Sequence, residues 1–415
     1  MSPTAWAPGR LAGDVPSTMQ SSAARLRIGI DLGLCTAAYG GIGRYVEELT
    51  RALMSRTVDE RNQDEFVLFA GDKQPAWLPE MLASASSDRA AGRAVMDGRC
   101  TGPWHSTIRG NVFLGPQLSR LNIRVFHAPD TLGFPLTASR RIGRVVTIHD
   151  LIPQLFPETV TRGHRWIRCA VLPPVVRQAD LVITDSQATA RDVMERFPEA
   201  REKTRVVHLG VDARFAPMPA EAVAAVRRQL GLPSEYLLYA GVINPVKNLE
   251  RLIEAHAIMR AETREIPPLI IAGRRGWLVD GILRRARELD LGGHVRFCGF
   301  VPDEALPALI TGASAFLFPS LYEGFGLPIL EAMACGTPVV TSDRSSMPEV
   351  AGGAAILVDP ARPDAIADGI RRILADKALR ATLKGRGAAR VRAFPWAATA
   401  ARTLDVYREA AGLSR

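Results

Sequence analysis

From residue 25 onward the chain alternates short, mostly apolar runs with longer stretches whose apolar positions recur at helical spacing. Runs at 26–30, 66–69, 125–127, 145–149 and 181–184 have the length and uniform hydrophobicity of strands buried on both faces. The first ends in Asp31-Leu32-Gly33. A Gly40-Gly41-Ile42-Gly43 segment then opens a helix carrying Tyr45, Val46, Leu49 and Leu53 on one face. The pattern restarts after Val211-Asp212 and a Pro/Ala-rich link at 215–220. Strands are expected at 236–241, 269–273, 295–300, 315–319 and 338–342, with helices from Asn248, from about Val279, over 303–311 and from Pro328. Strand–helix alternation of this kind builds a parallel sheet covered on both sides. The expected fold is therefore α/β, with two doubly wound domains at 25–214 and 215–395 and a cleft between them. Residues 1–24 read as a disordered leader, and 396–415 as a terminal helix with the option of packing back on the first domain.

A chain of 415 residues exceeds one ordinary core, which agrees with two domains. No apolar run approaches the roughly 20 residues that span a bilayer, and the leader has no apolar segment of signal-peptide type. The five cysteines (Cys35, Cys100, Cys169, Cys298, Cys335) are odd in number and scattered, which argues against a disulfide framework and for a reducing, cytoplasmic location. The net charge of +9 admits nucleic acid, an anionic membrane face or a phosphate-bearing small molecule as partner. No basic aromatic ladder supports nucleic acid. The stretch 162–168 and the cluster Arg140, Arg141 and Arg144 leave open a peripheral contact with the inner membrane face or a lipid-diphosphate acceptor.

The densest chemistry is Glu323-Gly324-Phe325-Gly326-Leu327-Pro328-Ile329-Leu330-Glu331, placed directly after an expected strand. Pro328 suits a first helical turn, and the glycines allow close approach of backbone to a ligand. Free amides of Phe325, Gly326 and Leu327 would face an anion with the helix dipole behind them. Glu323 before the helix and Glu331 inside it can each accept hydrogen bonds from hydroxyls. Gly241 to Leu249 forms a second turn before a helix, with Lys247 and Asn248 at its end. Gly273-Arg274-Arg275-Gly276 forms a third. His149-Asp150, His127 and Asp185-Ser186 stand at strand ends, and helix capping alone accounts for Asp185-Ser186. The Gly40–Gly43 segment lacks the G-x-G-x-x-G spacing of dinucleotide enzymes. Neither an Asp-x-Asp nor a His/Cys/Asp cluster with metal-ligand spacing occurs, so no metal and no cofactor is expected.

Residues 322–340 (YEGFGLPILEAMACGTPVV) closely resemble the signature of family-4 retaining glycosyltransferases, and the resemblance extends from about residue 28 to 407. It implies the GT-B architecture of two facing Rossmann-like domains and a nucleotide-sugar substrate. It implies that Glu323 contacts the transferred sugar, Glu331 the ribose and the intervening amides the diphosphate. Lys247 would neutralise the leaving group, and His149 would lie near the sugar. Gly241 and Asn248 would belong to the phosphate turn, and Gly43 to the loop opposite the phosphates. Many relatives carry Arg immediately before the lysine. This chain has Val246, so Arg274 or Arg275 is expected to supply the second positive charge. His127 is a candidate for the acceptor side.

The segments around 149 and 272–277 resemble mannosyltransferase members. The expected activity is retaining, metal-independent transfer of mannose from GDP-mannose to a glycan or lipid-linked acceptor in polysaccharide biosynthesis. The alternatives are a UDP- or ADP-sugar-dependent transferase of the same fold and a non-catalytic nucleotide-sugar-binding protein.

Overall fold

The computed structural model describes residues 25–33, 40–56, 64–70, 75–85, 93–96, 114–289 and 291–413. The expected leader, Cys35 and Cys100 lie outside the described residues. The first sheet has seven parallel strands: β1 (Arg27–Asp31), β2 (Glu65–Ala70), β3 (Arg93–Met96), β4 (Val125–Ala128), β5 (Gly143–Ile148), β6 (Leu181–Thr184) and β7 (Thr204–Val206). Their order is β3-β2-β1-β4-β5-β6-β7. The second has β8 (Leu237–Ala240), β9 (Leu269–Ala272), β10 (Val295–Gly299), β11 (Ala315–Phe318), β12 (Val339–Ser342) and β13 (Ile356–Val358), in the order β10-β9-β8-β11-β12-β13. Both orders reverse direction once, between β1 and β4 and between β8 and β11. In doubly wound sheets the ligand crevice opens there, beyond the carboxyl ends of the strands.

The central strands are buried along their whole length, which is why they read as unbroken apolar runs. The strands absent from the sequence reading, β3, β7 and β13, are short members near the sheet edges, three or four residues long. The helix expected from Asn248 begins instead at Leu249. A single 3-10 turn, Pro245–Lys247, precedes it, and Asn248 sits in the left-handed region at φ +60°. Asparagine tolerates that region better than most residues, and its side chain has a task there, described below.

The chain crosses between the domains twice, and the crossings lie side by side: the Val211 amide donates to Phe394 O at 2.9 Å. A Cβ on Gly210 would stand 2.5 Å from the Trp396 ring. After the second crossing, the helix Trp396–Leu413 packs against the first sheet, where a Cβ on Gly143 would meet Ala410 O at 2.6 Å. His127 of β4, fully buried, bonds Tyr407 Oη of this helix at 2.7 Å and Thr147 Oγ1 of β5 at 2.8 Å. The expectation that His127 lines the acceptor side is therefore corrected: it is an interior hydrogen-bonding residue. Burial drives its pKa down to about 3, so it is neutral.

Candidate functional site

Three turns at the carboxyl ends of the second sheet form one wall of the cleft. After β8 the chain runs through Gly241 to Lys247. Gly273, after β9, packs so closely on this turn that a Cβ would lie 1.8 Å from Gly241 O. Asn248 anchors the turn, since its side-chain amide donates to Pro319 O at 2.9 Å and Pro360 O at 2.7 Å. The Asn248 side chain thus holds the turn in place, and Lys247 is the turn's charged group, paired with Glu323. Val246 points into the core, 2% exposed, and its carbonyl accepts from the Leu321 amide at 2.9 Å.

After β11 the loop of Glu323 to Gly326 leads into the helix Leu327–Ala334. Ser346 Oγ donates to the carbonyls of Glu323 (2.9 Å) and Phe325 (2.7 Å), and Ser345 Oγ to Glu323 O (2.7 Å). With its carbonyls held from behind, the loop keeps its amides forward. Gly326 takes φ +100°, a conformation glycine adopts without steric cost. The amides of Phe325, Gly326 and Leu327 donate to no acceptor among the described residues. Three free N–H groups at a helix start are a site for an anion.

Each carboxylate flanking this start is paired with a cation. Lys247 Nζ lies 2.7 and 2.8 Å from the two oxygens of Glu323, with Phe318 beneath it. Glu331, 5% exposed, receives Arg44 Nη1 at 2.5 Å, and the other Nη of Arg44 bonds Asp303 at 3.0 Å. Burial raises the pKa of Glu331, an effect the Arg44 guanidinium opposes. Arg44 belongs to the helix Gly40–Arg56 of the first domain, so this pair crosses the cleft. The sequence reading missed it. Gly43, expected to approach a ligand, is buried in the first turn of that helix, next to Arg44.

His149 follows β5 and points inward. Its Nδ1 donates to Asp185 Oδ2 at 2.6 Å, and its Nε2 to Pro129 O at 2.8 Å. Two acceptors on the two ring nitrogens require two N–H groups. Burial would lower its pKa, but the Asp185 charge and hydrogen bond outweigh burial and raise it to about 9. His149 is an imidazolium at neutral pH, and it cannot act as a base there. Its nearest tie to the opposite wall is its carbonyl, which packs on Gly324. Ser186 Oγ and Thr189 Oγ1 also reach across, to Gly324 O at 2.6 and 3.1 Å. Capping therefore accounts for only part of Asp185-Ser186: Ser186 does cap the helix Gln187–Arg196, yet both residues also build the cleft.

Of the two arginines expected as a second phosphate charge, Arg274 lies exposed over the Phe300 ring at 5.8 Å, and Arg275 is exposed beside it. Nearer the cleft mouth, Trp277 Nε1 donates across to Thr159 O at 2.6 Å. A cavity of about 520 Å³ opens there between Thr161, Arg162, Arg165 and Leu278. In the basic cluster Arg144 is buried and paired with Asp180, and Arg168 pairs with Asp130. These two arginines do not face a lipid surface. Among the described residues no group of three or more His, Cys, Asp or Glu is arranged to hold a metal ion.

Two facing doubly wound sheets, with an anion-binding helix start and two carboxylates in the cleft, define a GT-B glycosyltransferase fold. Residues 39–215 match the family Glycosyltransferase Family 4, and residues 224–390 match Glycosyl transferases group 1. The chain is 31% identical over 378 residues to the O-antigen chain mannosyltransferase B of Escherichia coli, covering 89% of this chain and 96% of that one. It is 33% identical over 262 residues to the serotype-specific mannosyltransferase WbdA of E. coli, where the match spans 62% of this chain and 32% of the relative. Similar solved structures include a sucrose-phosphate synthase from Thermosynechococcus elongatus (TM-score 0.69, 24% identity, 93% and 99% of the two chains). Another is Anabaena HepE in complex with UDP and glucose (TM-score 0.69, 19% identity, 92% and 99%). The chain belongs to the group 1, family 4 glycosyltransferases.

Proposed function

We propose that the protein is a retaining, metal-independent glycosyltransferase that moves mannose from GDP-mannose to a glycan or lipid-linked acceptor in polysaccharide biosynthesis of the O-antigen type. The observation that carries the reading is the helix start of Phe325 to Leu327, with three open amides flanked by Glu323–Lys247 and Glu331. The similarity to an O-antigen mannosyltransferase over 89% of the chain supports the choice of sugar.

In this reading the diphosphate lies on the three amides and Lys247, which stabilise the negative charge that grows as the bond to the anomeric carbon breaks. Glu323 accepts hydrogen bonds from sugar hydroxyls, and Glu331 from those of the ribose. A lysine and helix-terminal amides can do for a departing diphosphate what a divalent cation does elsewhere. The acceptor hydroxyl attacks from the face the diphosphate leaves, which retains configuration. Its proton passes to the departing phosphate oxygen, because His149 is already protonated and has both nitrogens engaged. The imidazolium contributes a fixed positive charge behind the sugar subsite.

On the acceptor side, Arg162, Arg165 and Trp166 project from one face of the helix Arg162–Gln178, and Trp166 is 68% exposed. An exposed aromatic between cations suits a peripheral contact with anionic lipid or with a lipid-linked acceptor. Among the described residues no helix is long and apolar enough to cross a membrane.

The test is a thermal-shift screen with GDP, UDP, ADP and their sugars, each with and without EDTA, followed by anomeric NMR of the product. Stabilisation by GDP and GDP-mannose, unaffected by EDTA, with an α-linked product is expected. Preference for a UDP or ADP ligand would overturn the choice of sugar nucleotide. Binding without release of nucleoside diphosphate in the presence of acceptors would favour a non-catalytic binder.

A further inference from the structure

We propose that Arg44 is the second cation of the diphosphate site, held on Glu331 until the nucleotide sugar arrives, so that binding exchanges the partners of two preformed ion pairs. The proposal rests on the sugar-nucleotide reading above and adds a residue and a binding mode to it.

Arg44 stands one turn into the helix Gly40–Arg56, whose first turn carries no acidic residue. The charge is compensated from the opposite domain, by Glu331 and Asp303, while the guanidinium rests against the Phe215 ring at 5.6 Å. A surface arginine has no need of such an arrangement.

Arg44 touches the helix that follows one phosphate turn, through Glu331, and its own helix starts against the other. At the start of the same helix, a Cβ on Gly40 would lie 3.9 Å from Val242, in the turn that leads to Lys247. Glu331 sits four residues after Leu327, and helical side chains lean toward the N-terminus. Its carboxylate therefore leans toward the first turn, and Arg44 with it, on the side of the open amides. The position that would supply a second cation from the lysine's own turn is the buried Val246, and Arg274 is turned onto Phe300. Arg275 bridges Ile243 through its backbone while its side chain is exposed, so Arg44, held in the cleft by Glu331, is the arginine we assign to that role.

In the exchange each cation keeps an anionic partner, while each carboxylate trades a cation for neutral hydroxyl donors. Without nucleotide, Glu323 and Glu331 neutralise Lys247 and Arg44. When sugar and ribose hydroxyls hydrogen-bond to the carboxylates, both cations turn to the diphosphate, which carries the compensating charge. No desolvated cation is left without an anion, and the hydroxyl hydrogen bonds offset part of the cost of separating the carboxylates from their cations. The guanidinium fork suits two phosphate oxygens, which a lysine at the same place would not match.

The test is calorimetric titration of the full chain and its Arg44→Gln and Arg44→Lys variants with GDP and GMP, run in parallel with UDP and UMP. Arg44→Gln is expected to lose about 10- to 50-fold in affinity for the diphosphate and less than about threefold for the monophosphate. Arg44→Lys should fall between, with a shallower salt dependence in Arg44→Gln than in the wild type. Should Arg44→Gln fail to fold, the diphosphate-to-monophosphate ratio of Arg44→Lys carries the test. Diphosphate affinity unchanged or tighter in Arg44→Gln would overturn the proposal, since Arg44 would then only compete with the ribose for Glu331. An equal loss for both nucleotides would also overturn it, reducing Arg44 to a residue that shapes the cleft. A wild-type protein that binds neither GDP nor UDP would instead sink the sugar-nucleotide reading, and the proposal with it.

Discussion

The carbonyl oxygen of His149 lies 1.8 Å from where a Cβ on Gly324 would be, so the two domains touch through the backbone at the centre of the cleft. That contact sets the end of β5 in one domain against the loop that leads into the helix start of the other. Glycine at 324 is required by the opposite domain, in addition to any freedom its own loop needs.

Gly324→Ala must therefore move the loop or part the domains. Displacement of catalytic groups by about 1 Å can cost on the order of 100-fold in rate. A loss of that size in kcat/KM is expected, with far-UV circular dichroism unchanged. Wild-type kcat/KM in this variant would mean that the working cleft is wider than described.

Lys247 and Glu323, with side chains 17% and 11% exposed, form a bidentate pair that either single substitution would break. Lys247→Met or Glu323→Gln leaves a charge without its partner, at a cost near the low end of the roughly 3–5 kcal/mol typical of broken buried pairs. The double variant should recover most of that stability, because both charges are gone. Transfer should be abolished in all three. Urea titration and a transfer assay check the two parts, and a double variant as unstable as the sum of the singles would contradict the pairing.

His149 links stability to pH. Its pKa is about 9 in the folded protein against an ordinary 6.5, so the folded state binds the proton more tightly than the unfolded chain. The stabilisation is complete below pH 6.5 and is lost as the pH rises through about 9. Its size is on the order of 3 kcal/mol. Melting temperatures of the wild type should fall over this window, and those of Asp185→Asn much less. In the same range transfer should show no activation by deprotonation of a histidine below pH 8. A rate that climbs with a pKa near 6.5 would assign His149 the role of base.

Tyr407 donates to or accepts from His127 in the dry interior between the last helix and the first sheet. Tyr407→Phe keeps the packing and removes the hydroxyl, leaving His127 Nδ1 without its partner. A destabilisation of about 1–3 kcal/mol is expected. Measured by denaturant unfolding, a change below 0.5 kcal/mol would mean that the terminal helix is held by apolar contacts alone.

Much of this protein could be read locally. Strand and helix periods, and the glycine and proline chemistry of turns, depend on neighbours a few residues away, and they were enough to read the α/β alternation and two doubly wound domains. They also marked the helix start with its three amides between Glu323 and Glu331, because a helix start after a buried strand presents its amides whatever surrounds it; the interest of Lys247 came from the family resemblance. The short edge strands escaped, being too brief to carry a period.

What the tertiary structure alone decided is which charges meet. Arg44 and Glu331 are 287 positions apart, and His149 and Asp185 are 36 apart. Nothing in the flanking sequence of either residue specifies the other. The first pairing arises where two sheets bring their carboxyl ends together, and the second where the adjacent strands β5 and β6 of one sheet end side by side. They turn a strand-end histidine into a cation, retire Asn248 and His127 to structural tasks, and place an arginine from one domain on the carboxylate of the other. Hydrophobic pattern determines how each layer is built, whereas the ionisation and partners of a buried group depend on the field of everything packed around it.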